Sequence, residues 1–482
     1  MSNEVVLRII QEVDNFKDLE RNIFAVICIR ARKALEEILV LIDEKLMEER
    51  DKEVLENKGI RKRELKTLFG VIELKRRYYK DINGTYHYLL DEYLGIPAND
   101  RQSPALKEVA FKLIKDLSYR KSAEKVEEIL NVSTSHSTIH NWVQKLGGRI
   151  RRKRAEKRER LFEAGLLPES DEEDEERKEV DHLFMEVDGV HVSLQREEKD
   201  KGEIKIGICY EGWEKKHPMS DEYLVKDKRV FGGVFASDVF WQEATTHLYE
   251  NYRFTSQTIT LLNGDAAAWI ANGVEFVPSI TAWSLDDFHW NRKIRKLLGR
   301  SKFIPDVYQA IRDKDKEKLV EVLNKAKSYR RKKKDKKKVE DLKEYLLRYW
   351  ENIQSFEDRG IDVPDEMRGM GAIESNVDKI LVIRVKNEGM SWTIEGLKNL
   401  AAIIITDRNN ELEFKINKRD WEFKELPEIK EGNRSLQTKP SRDESEVLKA
   451  GMPALEGPES GEDWIEILKI LGSWETNNPA VL

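Results

Sequence analysis

The stretch HLFMEVDGVHVSLQ at 182–195 constrains the fold more than any other part of the chain. Leu183, Phe184, Val187, Val190, Val192 and Leu194 are strand formers, and no single helical stripe fits them. Their apolar side chains fall on both alternating faces, which predicts a central strand covered on each side. Glu186 and Asp188 are set into this run. A carboxylate in such a strand is costly to desolvate unless it is paired or binds a metal. Asp188 therefore requires partners, and the rest of the chain offers Asp265 and Glu374. Glu186, two residues away on the same face, is a competing candidate.

At 482 residues the chain is long enough for roughly two to four domains and a sizeable core. Charged residues make up 37%, yet 85 Lys+Arg against 91 Asp+Glu leave a net charge of only −6, so the distribution carries the information. RIRRKRAEKRER (149–160) and YRRKKKDKKK (329–338) are basic, and ESDEEDEE (169–176) is acidic. Cys28 and Cys209, far apart, fit a reducing cytosol and exclude a four-cysteine zinc site. No signal-peptide pattern opens the chain, and no apolar run approaches the roughly 18–20 residues needed to span a bilayer. The expected location is the cytoplasm, with no membrane partner.

Residues 4–57 carry apolar residues at helical spacing, predicting an N-terminal helical segment that either packs on its own domain or dimerises. From 66 to 94 the pattern turns to strands around Asp81-Ile82-Asn83-Gly84, and Asn-Gly is a strong hairpin signal. Lys75, Arg76, Arg77 and Lys80 beside Tyr78 and Tyr79 make either a phosphate-binding surface or a charged hairpin face. KSAEKVEEIL, a short polar turn and SHSTIHNWVQKLG then suit a helix-turn-helix reader within 104–147. Its second helix carries Ser137, His140 and Asn141 as candidate DNA contacts. Arg149, Arg151, Arg152, Lys153 and Arg154 follow as candidate phosphate contacts, with a solvated linker helix as the alternative.

The second half alternates strand and helix. Three strands, a helix, a strand, a helical turn and a fifth strand is the order of a ribonuclease-H-like α/β domain, in which the first and fourth strands are neighbours. Neighbouring strands are about 4.8 Å apart. Asp188 in the first strand and Asp265 at the end of the fourth are thus placed to share a metal ion, with a third acid supplied by a helix. An all-oxygen set suits Mg²⁺ or Mn²⁺ in a two-ion site. Each acid also has a plainer reading: Asp265 as a turn residue and cap, Asp188 closing a hairpin, Glu374 as a first-turn helix acid. A basic helical segment at about 301–360 reads as an insertion, with Arg330, Arg331, Lys332 and Lys333 as candidate DNA contacts.

With these residues in view, the chain resembles the bacterial insertion-sequence transposases of the ISLre family, also catalogued as an uncharacterised protein family and near the Mutator-like DDE transposases. The resemblance covers about residues 65–400. It rests on RRYYKDINGTYHYLLDEYLGIP, EVDGVHVSLQ, KIGICYEGWE, LNGDAAAWI, LDDFHWNRKI and GAIESNVDKILVIRVKNEGMSW with Gly396. It implies an acidic triad of Asp188, Asp265 and Glu374, separated by 77 and 109 residues. Asp286 and His289 match a C/D-x-x-H signature and are expected beside the site. Gly189 stands where family members often carry an acid, and Ala266 where they often carry glycine; the triad is complete.

The implied activity is phosphoryl transfer on DNA with two divalent ions. Water cuts a strand at a transposon end, and the released 3′-hydroxyl then attacks target DNA, with no covalent enzyme intermediate. Expected partners are transposon ends, target DNA and further copies of the chain in a dimer or higher synaptic complex; the expected setting is the nucleoid. The alternative is a non-catalytic, domesticated helix-turn-helix DNA-binding protein. The expected architecture is an N-terminal helical segment (1–58), a β-hairpin region (59–103) and a helix-turn-helix-like domain (104–147). A basic/acidic linker (148–180), the ribonuclease-H-like α/β catalytic domain with its helical insertion (181–415) and a flexible tail (416–482) complete it.

Overall fold

The computed structural model describes residues 15–97, 100–168, 177–277, 280–386 and 389–412. The acidic run at 169–176 and the tail expected at 416–482 lie outside the described residues. Among the described residues the chain forms two compact units, one of residues 15–64 and 69–93, the other of residues 65–68 and 94–412.

The first unit opens with α1 (Phe16–Glu49), capped by Asn15, whose side chain accepts the Asp18 amide. Then come β1 (Leu55–Thr67), β2 (Gly70–Asp81) and β3 (Tyr86–His87), forming a sheet in that order, and α2 (Leu89–Tyr93). The helical segment expected through residue 58 thus stops at Glu49. Asp51 Oδ1 accepts the Glu53 amide in a local turn, and strand follows. The Asn-Gly turn is present, with Asp81 Oδ1 accepting the Asn83 and Thr85 amides at 2.9 and 2.8 Å. Its second arm is two residues long, because Leu90 and Tyr93 are buried at helical spacing and the chain coils into α2.

The basic cluster of β2 is largely engaged within this unit. Asp91, itself buried, accepts from both Arg63 and Arg76. Arg77 holds Asp43 of α1 through its backbone amide and guanidinium at 3.0 and 2.6 Å. Strand alternation puts Arg76 on the buried face, which a count of cations along the sequence does not reveal.

The second unit begins with α3 (Pro104–Ile114), α4 (Tyr119–Leu130) and α5 (His136–Ala164). Ser103, Ser118 and Ser135 cap them, each accepting an amide three residues on. There follow β4 (Lys178–Glu179), β5 (His182–Leu194), β6 (Lys201–Tyr210), β7 (Trp213–Lys215), β8 (Tyr223–Val225) and β9 (Arg229–Gly233). Next are α6 (Ser237–Asn251), β10 (Tyr252–Arg253), β11 (Ile259–Gly264), α7 (Ala268–Ala271), α8 (Gly273–Phe276) and β12 (Ile280–Leu285). Helices α9 (Asp287–Leu298), α10 (Ile304–Arg312), α11 (Lys316–Ser328) and α12 (Lys333–Arg348) come next. The unit closes with α13 (Ala372–Val377), α14 (Ile383–Val385), β13 (Ser391–Trp392) and α15 (Ile394–Arg408).

The main sheet runs β12-β11-β5-β6-β9, with β13 paired to the end of β5. Strands β5, β6 and β9 are antiparallel in turn, whereas β11 is parallel to both β5 and β12. The first and fourth strands of this sequence, β5 and β11, are therefore neighbours. Both faces of the sheet are covered. Phe184, Val190, Ile206 and Tyr210 join a core with α3–α5, α13 and α15, while Leu183, Met185, Val187 and Cys209 join one with α6 and α9–α12. Full burial of each large apolar side chain contributes about 1.5–3 kcal/mol, which fixes the register, because a one-residue slip would exchange the faces.

The boundary expected at 147/148 falls inside α5, which continues unbroken into the basic run. Gly147 and Gly148 look like helix breakers, but a Cβ on Gly147 would lie 2.3 Å from the Asn399 carbonyl oxygen of α15. Glycine permits this close helix crossing, so α5 is packed against α15 of the same unit. Among the described residues, no helix is long and apolar enough to cross a membrane.

Candidate active site

Asp188 lies in β5, and the register Gly264–Val187, carried one residue further, aligns it with Asp265 just beyond β11. Asp265 Oδ1 accepts the Ala267 amide at 2.7 Å, so this acid also turns the chain into α7. Glu374 is in the first turn of α13. The helix is held there by Glu186, which is fully buried and accepts the Ala372 and Ile373 amides at 3.1 and 3.0 Å. Tyr210 donates its hydroxyl to the same carboxylate at 2.7 Å. Burial, with Glu186 beside it, pushes the Tyr210 hydroxyl far up, so it remains a donor. Glu186 thus caps the helix that carries Glu374.

The acids share one electrostatic environment. Burial raises the Asp188 carboxyl to about 6, and the negative charges of Asp265 and Glu374 add to that rise. The Gly189 amide, donating at 2.7 Å, and nearby His289 act in the opposite direction. As placed, the acids are neighbours without forming a closed cage: among the described residues, no three His, Cys, Asp or Glu side chains stand at metal-binding spacing. Their all-oxygen donor set nevertheless fits a hard divalent cation, which would offset the negative charge of the three acids.

Asp286 and His289 have different roles. Asp286 is buried and caps α9, accepting the His289 amide at 3.3 Å and the Asn263 side-chain amide at 3.0 Å. It is a structural anchor, while His289 is the member whose charge reaches Asp188. The insertion also approaches the site. Tyr345 of α12 feels Asp265 and Asp286, and Tyr349 donates to the Ala266 carbonyl at 3.4 Å. A Cβ at Gly189 would come within 2.5 Å of Glu203 Oε1, so an acid from the neighbouring strand β6 overhangs this glycine.

The candidate DNA contacts divide into two sets. Ser137, His140 and Asn141 are exposed near the start of α5. Arg331, Lys332 and Lys333 are exposed at the α11–α12 turn, and Arg330 donates to the Leu298 carbonyl at 2.5 Å. The basic half of α5 is turned largely toward its own unit. Arg151 binds Glu395 and Asn399 at 2.7 and 2.8 Å, and Arg154 donates to Thr406 at 3.0 Å. Arg158 and Lys157 pair with Glu243 and Glu250 of α6. Arg149 and Lys153 are half-buried with interactions of their own, and Arg152 is exposed. The sequence signal that separates these sets is the 3.6-residue period, which leaves Arg152, Glu156, Glu159 and Arg160 outward.

Comparison with known proteins places this chain among relatives of similar length. A UPF0236 protein of Caldanaerobacter subterraneus subsp. tengcongensis is 28% identical over 388 residues, covering 78% of this chain and 74% of its own. The UPF0236 protein in the vanSb 3′ region of Streptococcus gallolyticus is 26% identical over 454 residues, covering 92% and 95%. The family model described as "Uncharacterised protein family (UPF0236)" matches residues 9–422, and the chain belongs to that family.

Proposed function

We propose that this protein is a DDE-type DNA transposase whose catalytic domain is ribonuclease-H-like. The observation that carries the reading is the register of β5 and β11, which sets Asp188 beside Asp265, with Glu374 close enough to add its charge to that of Asp265 at the buried Asp188 carboxyl. The strand order, with β5 and β11 adjacent and parallel, supports the fold assignment. Asp265 lies just past the carboxyl end of β11, beside Asp188 in the middle of β5, and the carboxyl ends of parallel strands are a usual place for active sites in α/β sheets. One relative's name carries eleven locus designations from a single organism, as expected of a mobile element present in many copies.

Asp188, Asp265 and Glu374 would hold two Mg²⁺ or Mn²⁺ ions, which supply a lowered water pKa and charge neutralisation at the phosphate when bound. The chain's own residues do the rest. Glu186 orients the Glu374 helix, and the Asp286 cap fixes the start of α9 and so aims His289. Tyr345 and Tyr349 wall the site on the Asp265 side. The start of α5, with Ser137, His140 and Asn141, reads element ends, and Arg331, Lys332 and Lys333 grip backbone.

Purified protein is expected to nick duplex DNA carrying the sequences that flank its gene, at those ends and only with Mg²⁺ or Mn²⁺. End binding without divalent-dependent cleavage would instead favour the domesticated DNA-binding protein. Cleavage of branched DNA with no preference for the ends would indicate a structure-specific nuclease.

Synapsis of two ends calls for at least a dimer. Phe24, Ile27, Ile38 and Leu41 of α1 are exposed apolar residues, and Phe24/Ile38 and Ile27/Leu41 are each 14 residues apart, two heptads. We expect Phe24→Glu combined with Ile38→Glu to convert an oligomer to monomer in light scattering. An unchanged mass would remove α1 from the interface.

A further inference from the structure

Helix α9 leaves the candidate active site with an unusual outer face. Phe288, adjacent to His289, is 48% exposed, and Asn291, Arg292, Arg295 and Lys296 continue the same stripe at i+3, i+4, i+7 and i+8. Together with Tyr308 of α10 they line an open groove of about 860 Å³. None of the lining residues is acidic. Among the described residues, Arg292, Arg295 and Lys296 form no ion pair, and the Arg292 guanidinium lies 5.8 Å from the Phe288 ring centroid. Asp286 and Asp287, at the head of the helix, are engaged by Asn263 and the Trp290 indole.

A solvated helix face seldom pairs an exposed phenylalanine with three unneutralised cations. The combination matches one ligand chemistry closely. Cations along a groove track phosphates, while an exposed ring offers a stacking surface for a base. A duplex keeps its base faces stacked inside, so it offers Phe288 nothing to stack on; an unpaired strand offers both phosphates and rings. From Phe288 to Lys296 the helix rises about 12 Å, long enough to lie beside a short run of an unpaired strand.

We propose that the α9–α10 groove binds single-stranded DNA, the unpaired strand next to the cut. As a role in transposition this rests on the function proposed above, whereas binding of single strands by the groove does not. Phe288 stacks on one base, Arg292, Arg295 and Lys296 hold successive phosphates, and Asn291 is placed to hydrogen-bond a base edge or sugar. The groove leads away from Asp188 along α9, so a strand lying in it would be delivered toward the acids.

The test uses the full-length protein in EDTA with a fluorescein-labelled oligothymidylate and, separately, a blunt duplex of unrelated sequence. Phe288→Ala should weaken oligothymidylate binding about 5- to 150-fold, the range for loss of one base–aromatic stack, and leave duplex binding unchanged. Phe288→Tyr should retain binding. Arg292→Ala with Arg295→Ala should lower the slope of log affinity against log salt by about 1.4, two single-strand phosphate contacts. These positions are exposed, so matching melting temperatures will verify the fold. The proposal is overturned if Phe288→Ala binds the oligonucleotide like wild type, or if single-strand and duplex binding fall together.

Cleavage of end DNA with Mg²⁺ is scored in parallel. Wild type that cleaves, with groove variants that bind normally, defeats the groove alone. Wild type that never cleaves, with Phe288-dependent oligonucleotide binding, defeats the transposase reading and leaves the groove standing.

Discussion

Asp188→Asn is expected to reduce divalent-dependent DNA cleavage by a factor on the order of 10³ or more while making the metal-free protein more stable at neutral pH. The first effect follows from removing one member of a set that works as a unit. The second follows from the same burial that raises the carboxyl to about 6. In the unfolded chain an aspartate ionises near its ordinary 3.8, so between about pH 4 and 6 the folded state binds more protons. The part of the stability that Asp188 governs is therefore greatest below about pH 4 and declines as pH rises toward 6. Above that, the ionised buried acid costs at most about 3 kcal/mol. Asparagine keeps the shape without the charge and should recover about 1–3 kcal/mol at pH 8 and little at pH 4. Urea unfolding in EDTA at the two pH values measures this. Mn²⁺ should stabilise wild type and not the variant. A variant no more stable at pH 8 would contradict the ionisation of a buried Asp188 at that pH.

The second large effect concerns Glu186. Glu186→Ala leaves the Tyr210 hydroxyl and the Ala372 and Ile373 amides without their acceptor and opens a cavity, a loss of about 3–5 kcal/mol. Glu186→Gln is the sharper probe. It keeps one acceptor oxygen but turns an NH₂ toward backbone N–H groups, so α13 should stay folded yet loosen. The expected result is a kcat for end cleavage about 10- to 100-fold lower, a weaker Mn²⁺ requirement curve and a nearly unchanged KM for DNA, since substrate does not touch this residue. If the folded Gln variant cleaves at the wild-type rate with the wild-type Mn²⁺ dependence, Glu186 is a packing residue only.

The pair Glu186 and Asp188 shows what pattern reading can and cannot reach. Both acids lie on one face of β5, and nothing local ranks them. Their roles part only because α13 arrives over Glu186 with two free amides, while Asp188 is left facing Asp265 and Glu374. The same holds for Asp286 and His289, where a motif names two residues and the fold makes one a cap and the other a neighbour of the acids.

Periodicity and turn chemistry did not reveal the short strands β7, β8 and β10. They determined the strand at 182–194, the five strands of the main sheet that begin with it, the helical segment at about 301–360, the helices within 104–147 and the Asn-Gly turn. These are local, since a two- or 3.6-residue repeat and a capping side chain act within a few residues. Tertiary structure decided the rest: that Gly147 permits a helix crossing rather than a boundary, that Arg76, Arg77, Arg151 and Arg154 engage partners within the fold, and that α9 turns a phenylalanine and three cations outward. The physical reason is that charge and glycine take their meaning from what packs against them, and those neighbours are brought together across tens to hundreds of residues by burial of the core.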